Sequence, residues 1–244
     1  MPEPPLRGRA LIAAGLGCLA VAGLALFGQS WLGTAPTQPV IAVAVFCATI
    51  AVALLTMRDH HPFPRFGAAN WVTMMRAVLV ALAASLIVEP AESSLAWVLV
   101  AATATVAVLD GVDGWLARLT RMNSAFGARF DMETDAFFML VLSVLVWRHD
   151  KAGVWVIAIG LMRYAFVAAG WVLPWLARPL RSTGRGKAVA VGQLAGLGVA
   201  LLPVVPVPAS LLASGAALAA LVWSFAVDVR FLYRERARPE GRAL

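Results

Sequence analysis

Eight apolar stretches divide the chain, at about residues 10–28, 38–57, 70–88, 94–119, 125–147, 153–175, 187–205 and 208–230, each near the roughly 20 residues that an α-helix needs to cross a bilayer. Little but a bundle of membrane-spanning helices can accommodate such a pattern. The composition agrees: 61% of the 244 residues are hydrophobic, only 14% are charged and the mean hydropathy is +0.82, whereas soluble domains carry about 25% charged residues. The expected fold is all-α, a polytopic membrane protein with eight transmembrane helices. The first stretch is long enough to span and lacks a convincing small-residue cleavage site, so it is expected as a retained helix rather than a signal peptide. Cys18 and Cys47 lie in apolar stretches without metal-type spacing; they read as packing residues, with no disulfide framework.

Basic residues set the orientation, because Lys and Arg are retained on the cytoplasmic side. Arg7 and Arg9, Arg58 and Arg65, Arg118, Arg121 and Arg129, the run Arg178, Arg181, Arg185 and Lys187, and the tail Arg230, Arg234, Arg236, Arg238 and Arg242 all fall on one side. The other side has Arg148, Lys151, the acidic Glu89 and Glu92 and the uncharged residues 29–38. Both termini are thus expected in the cytoplasm, with the chain a multi-pass integral membrane protein, in the cell membrane if the source is prokaryotic. The net charge of +7 is accounted for by this topology and by attraction to anionic lipid headgroups; nucleic acid is not needed as a partner. The polar break at residues 58–65 separates a hairpin with almost no intramembrane polar residues from six helices that hold nearly all of them. Three parts are expected: a transmembrane hairpin at 1–60, a six-helix core at 61–234 and a basic cytoplasmic tail at 235–244. His60 and His61, in the break, have no carboxylate or Cys neighbours and read as a solvated pair.

The polar residues that matter lie between Asp110 and Asp135, where D-G-V-D-G-W-L-A-R is followed by eight residues and then G-A-R-F-D-M-E-T-D. A charged side chain at mid-bilayer costs at least about 2.5–3.5 kcal/mol, so acids placed there normally face a shared polar site. At 100° per residue, Asp113, Ala117, Asp110, Gly114 and Arg118 fall within about 140° of one helix face. Gly127, Asp131 and Asp135, four apart, line one stripe of the next helix. A turn centred near Met122 makes the two helices antiparallel and levels Asp110 with Asp135 and Asp113 with Asp131, so the four carboxylates are expected to converge. Like charges at close range need compensation. Mg²⁺ or a related ion supplies it, since such ions bridge carboxylates to substrate phosphates. Gly114, Ala117 and Gly127 are small enough for close approach of helices and a nucleotide, and Arg118 can neutralise a phosphate oxygen.

At these residues the chain resembles the CDP-alcohol phosphotransferase family, whose signature D-x-x-D-G-x-x-A-R, eight residues, G-x-x-x-D-x-x-x-D is met by Asp110, Asp113, Gly114, Ala117, Arg118, Gly127, Asp131 and Asp135. The resemblance implies a six-helix core over about residues 66–234, with the N-terminal hairpin as an addition. It also implies transfer of a substituted phosphoryl group from a CDP-linked donor, usually CDP-diacylglycerol, to a polar alcohol with release of CMP, as in phospholipid biosynthesis. It makes Asp110, Asp113, Asp131 and Asp135 ligands of two Mg²⁺ or Mn²⁺ ions, with Asp135 also the general base. The segment Asn70-Trp-Val-Thr73-Met-Met-Arg76 matches N-x-x-T-x-x-R, which places Asn70, Thr73 and Arg76 with Gly114, Ala117, Arg118, Gly127 and the hydroxyl of Ser124 among the donor contacts. Helix-end capping is the alternative for Asn70 and Thr73.

For the acceptor, relatives that take glycerol phosphate or inositol phosphate need cations near the metals. Arg163, near the middle of its helix, is costly enough there to face a ligand or pair with Glu133. Arg178, Arg181, Arg185 and Lys187 lie at the cytoplasmic edge, and Gly184-Arg-Gly-Lys187 resembles the G-K-x-K-T of glycerophosphate-using members, with Ala188 in place of Thr. These five cations are the candidate acceptor contacts, which points to a phosphorylated polyol such as glycerol 3-phosphate. The active site is expected toward the cytoplasm, and the dimers common among relatives leave a homodimer open. Two other readings compete: a UbiA-type intramembrane prenyltransferase, whose sites have no use for Gly114, Ala117 and Arg118, and a cation transporter, which needs no Gly-x-x-Ala-Arg after the second aspartate.

Overall fold

The computed structural model describes residues 4–57, 67–120, 124–178 and 183–236. Among them the regular elements are helical throughout: α1 (Pro4–Leu32), α2 (Gln38–Met57), α3 (Ala68–Ser85), α4 (Ser93–Thr120), α5 (Ala125–Arg148), α6 (Ile157–Val172), α7 (Gly184–Leu201) and α8 (Val207–Arg236). Each coincides with one of the eight apolar stretches. Among the described residues, five are long and apolar enough to cross a membrane, at Ala10–Leu32, Ala68–Val88, Ser93–Leu116, Val154–Val172 and Val207–Arg236. The other three carry identifiable interruptions. The described apolar part of α2 runs only over Gln38–Ala53, α5 has Arg129, Asp131, Glu133 and Asp135 in its first half, and α7 begins with Arg185 and Lys187. Large apolar side chains such as Leu19, Phe27, Trp171 and Leu212 point outward, as lipid contact requires, because acyl chains exert no hydrophobic pressure to bury them. The turn near Met122 and the pair His60–His61 lie outside the described residues.

The chain forms two compact units, Met1–Val141 and Leu142–Leu244, dividing within α5. In the first, α1, α2 and α3 pack on one another and α3 packs along α4. Their shared core joins Ala10, Ala13, Val21 and Ala25 of α1 to Ala42, Phe46 and Ile50 of α2, Met74, Ala77, Val78 and Ala81 of α3, and Phe126 and Phe130 of α5. Small residues set the separation. A Cβ on Gly17 would lie 2.4 Å from the ring of Phe46, so glycine is what admits that ring between α1 and α2. The helices α1 and α2 are therefore seated on α3. Polar contacts fasten the turn between them: Gln38 Nε2 donates to Ser85 Oγ at 2.6 Å, and the backbone N–H of Ala35 donates to the buried Glu89 carboxylate at 3.1 and 3.2 Å.

In the second unit α7 lies along α8. Gly196 lets the two helices approach closely, since a Cβ there would sit 3.3 Å from Ala217 Cβ and 3.4 Å from the Ala213 carbonyl oxygen. Thr183 caps α7 by accepting from the Gly186 N–H at 3.1 Å. Lys151 closes the opposite end: its ammonium donates to the carbonyls of Leu202 (3.0 Å) and Val205 (2.7 Å) just beyond α7, where a helix leaves carbonyls unpaired.

Candidate active site

The site lies within the first unit, where α3, α4 and α5 each contribute. Asp110 and Asp113 are one helical turn apart on α4, and Asp131 and Asp135 one turn apart on α5. The expected convergence is present: Asp110, Asp113 and Asp131 offer oxygens that all lie within 4.8 Å of one another. Asp135 joins them through a shared partner, the guanidinium of Arg76. Arg76 Nη1 is 2.6 Å from Asp113 Oδ2 and 2.5 Å from Asp131 Oδ1; Nη2 is 3.1 Å from Asp110 Oδ1 and also contacts Asp135 Oδ1. Arg76 is fully buried, while the side chains of Asp110, Asp131 and Asp135 keep 46%, 37% and 42% of their surface open. Asp110, Asp131 and Asp135 thus have one side held by arginine and one side open to a ligand, while Asp113 is enclosed.

This arrangement suits hard divalent cations. Several carboxylate oxygens within reach of a single point, and a formal excess of three negative charges when four carboxylates face one guanidinium, are what Mg²⁺-type ions bind. Asp113, the most enclosed of the four, is also approached by Thr73, whose Oγ1 lies 3.3 Å from Asp113 Oδ2 and 3.2 Å from the Ala69 carbonyl oxygen.

The expected donor contacts fall into three groups. Asn70, Ser124 and Gly127 come together. A Cβ on Gly127 would sit 2.8 Å from Asn70 Oδ1 and 3.1 Å from Ser124 Oγ, so the absence of a side chain makes room for both. Ser124 immediately precedes α5 and accepts from the Gly127 N–H at 2.9 Å, the geometry of an N-cap. Neither Asn70 nor Thr73 caps α3, which begins after Gly67 without a side-chain cap. Arg76 and Thr73 meet the aspartates directly. Gly114, Ala117 and Arg118 follow Asp113 along α4, the side chains of Ala117 and Arg118 being outside the described ones.

The candidate acceptor cations belong to the second unit. Arg185 of α7 contacts the carboxylate of Asp228 on α8, with its guanidinium carbon 5.7 Å from the centre of the Trp223 ring. Arg178 donates to the Glu235 carbonyl at 3.0 Å. Lys187 is exposed on the first turn of α7 and Arg163 is half-buried on α6; Arg181 lies outside the described residues. The sequence reading did not anticipate Arg76 as the common partner of the four aspartates. One signal was available, for Arg76 is the sole charged residue of α3, and a lone charge in an apolar span calls for a buried partner.

No curated protein and no solved structure shows significant similarity to the chain. Residues 66–227, two thirds of the sequence, match the CDP-alcohol phosphatidyltransferase family, and they include α3, α4 and α5 with all four aspartates. Use of divalent metal by that family agrees with the donor set described above, and its apolar helices agree with an integral membrane protein. On that match, the chain is a member of the CDP-alcohol phosphatidyltransferase family, transferases that move a phosphatidyl group from a CDP-linked donor to an acceptor.

Proposed function

We propose that this protein transfers the phosphatidyl group of CDP-diacylglycerol, or of a similar CDP-linked lipid, to a phosphorylated polyol such as glycerol 3-phosphate, releasing CMP in a step of phospholipid synthesis. The observation that carries this reading is the meeting of the four motif aspartates on α4 and α5, inside the segment that matches the family. Asp110, Asp113, Asp131 and Asp135 hold two Mg²⁺ or Mn²⁺ ions, which when bound polarise the phosphorus centre and steady the leaving phosphate oxygen. Asn70, Thr73, Arg76, Gly114, Ala117, Arg118, Ser124 and Gly127 hold the donor. Asp135 takes the proton of the acceptor hydroxyl. That oxygen forms a bond to the β-phosphorus as the bond between the β-phosphorus and the bridging oxygen breaks, and CMP leaves with the electron pair.

Arg163, Arg178, Arg181, Arg185 and Lys187 serve the acceptor. Their positive charge favours a phosphorylated alcohol and repels a cationic one such as choline. The basic residues of alternate loops support a cytoplasmic placement of both termini and of the site, and the division into hairpin 1–60, core 61–234 and tail 235–244 leaves all of the proposed machinery in the core. The test is direct. Purified full-length protein is incubated with CDP-diacylglycerol, Mg²⁺ or Mn²⁺, and glycerol 3-phosphate, inositol phosphate, inositol or serine in turn, and CMP and the lipid product are identified. Turnover that chelator abolishes and metal restores is expected, with glycerol 3-phosphate preferred. Activity unchanged in excess chelator refutes the metal mechanism, and preference for a neutral or cationic alcohol refutes the acceptor assignment. Asp135→Asn is expected to keep donor binding and lose turnover.

A further inference from the structure

The guanidinium of Arg76 contacts all four carboxylates. Its Nη1 contacts Asp113 Oδ2 at 2.6 Å and Asp131 Oδ1 at 2.5 Å, and a divalent ion such as Mg²⁺ binds oxygens at about 2.0–2.1 Å. An ion that takes those two oxygens from the arginine's side claims the volume that Nη1 fills, and one bound on the open side still competes with Nη1 for the same oxygens. The charges conflict as well, because a guanidinium is always protonated and stands as a like charge beside the ion. Arg76 is nevertheless fully buried, and its buried Nε has no hydrogen-bond partner, so the carboxylates are what hold it there.

We propose that Arg76 is an exchangeable counter-ion of the aspartate site. Its guanidinium gathers the four carboxylates when no divalent ion is bound, and it competes with the ion for the same oxygens. This rests on the phosphotransferase reading above and adds a regulation to it: metal entry loosens the hold of the carboxylates on Arg76, and the diphosphate of an incoming CDP-linked donor is an anion whose geometry can receive the released guanidinium. Metal and donor binding are then mutually reinforcing, as linkage demands when each relieves the same competitor.

The experiment uses the full-length protein in lipid nanodiscs. Mn²⁺ affinity is read from the free-ion paramagnetic resonance signal, and thermal stability is measured in excess chelator, for wild type, Arg76→Gln and Arg76→Lys. Removal of the competitor in Arg76→Gln is expected to tighten Mn²⁺ binding about tenfold or more and to lower the melting temperature in chelator, where Arg76 is the counter-charge that the described residues give the four carboxylates. Arg76→Lys, which keeps the charge, is expected near wild type in Mn²⁺ affinity. Weaker or unchanged Mn²⁺ binding by Arg76→Gln overturns the proposal, as does an unchanged melting temperature in chelator or an Arg76→Lys affinity equal to that of Arg76→Gln. Should Arg76→Gln fold only with metal, it is purified in Mn²⁺ and the rate of ion loss into chelator is compared: slower loss than wild type supports competition, and faster loss refutes it. Wild type that binds no Mn²⁺ refutes the phosphotransferase reading itself, whereas wild type that binds and loses affinity in Arg76→Gln refutes the counter-ion role alone.

Discussion

Gly127→Ala adds one methyl group between two proposed donor contacts. The new Cβ would lie 2.8 Å from Asn70 Oδ1 and 3.1 Å from Ser124 Oγ, where ordinary contact begins at 3.4 Å. The Asn70 amide must therefore retreat by about 0.6 Å and the Ser124 hydroxyl by about 0.3 Å. Overpacking of this kind costs about 1–3 kcal/mol, and replacing Gly by Ala inside a helix returns up to about 1 kcal/mol. Both displaced groups are side-chain ends that can rotate, so the cost falls at the lower end and the net loss of stability is about 0–2 kcal/mol. Function is less forgiving, since misplacing a substrate-positioning group by about 1 Å can cost on the order of 10²-fold in rate. Gly127→Ala should thus melt close to wild type while its CDP-lipid affinity or turnover drops about tenfold to a hundredfold. Thermal melting in nanodiscs, CDP-lipid binding and CMP release measured on one preparation separate the two effects. A folded Gly127→Ala protein with donor affinity and turnover within about twofold of wild type would refute the placement of Asn70, Ser124 and Gly127 around the donor, because about 0.4 kcal/mol is all such a change represents.

Three further outcomes follow from the contacts described. Asp228→Asn removes the carboxylate that engages Arg185; with Arg185 released for a phosphorylated acceptor, KM for that acceptor should fall by up to about fivefold, the scale of a part-exposed ion pair. Equal KM in Asp228→Asn and wild type, together with no rise in Arg185→Ala, removes Arg185 from the acceptor site. Deleting residues 1–60 strips the cover from Met74, Ala77, Val78 and Ala81 of α3, so the remaining chain should melt at lower temperature; an identical melting curve counts against a stabilising role for that packing. Cys18 Sγ and Cys47 Sγ are 3.6 Å apart, and helix motion of the order of an ångström brings them to the roughly 2.05 Å of a disulfide. Treatment with an added two-electron thiol oxidant should link α1 to α2 with loss of two hydrogens by intact mass, and full alkylation of both thiols after treatment would show that the pair cannot close.

Hydropathy is local along the chain, and the helices followed from it: the stretch expected at 38–57 is α2 (Gln38–Met57), and that expected at 94–119 is α4 (Ser93–Thr120). The convergence of the aspartates was equally legible, because spacing within a helix fixes which residues share a face and a short turn fixes which depths match. Arg76 was not, for its contacts with Asp113, Asp131 and Asp135 span 37, 55 and 59 positions of sequence, and no periodicity reports such a pairing. The double duty of Ser124, a proposed donor contact that also caps α5, depended on the backbone conformation at the start of that helix. The hairpin shows the limit most plainly. Its scarcity of polar residues separates it from the core in sequence, yet α1 and α2 pack on α3 through Ala, Val and Phe side chains. In a helix that is apolar all round, lipid and protein are nearly equivalent surroundings, so the sequence could specify that α1 and α2 are apolar helices, and only the tertiary fit of small residues, such as Gly17 beneath Phe46, decided which face meets which neighbour.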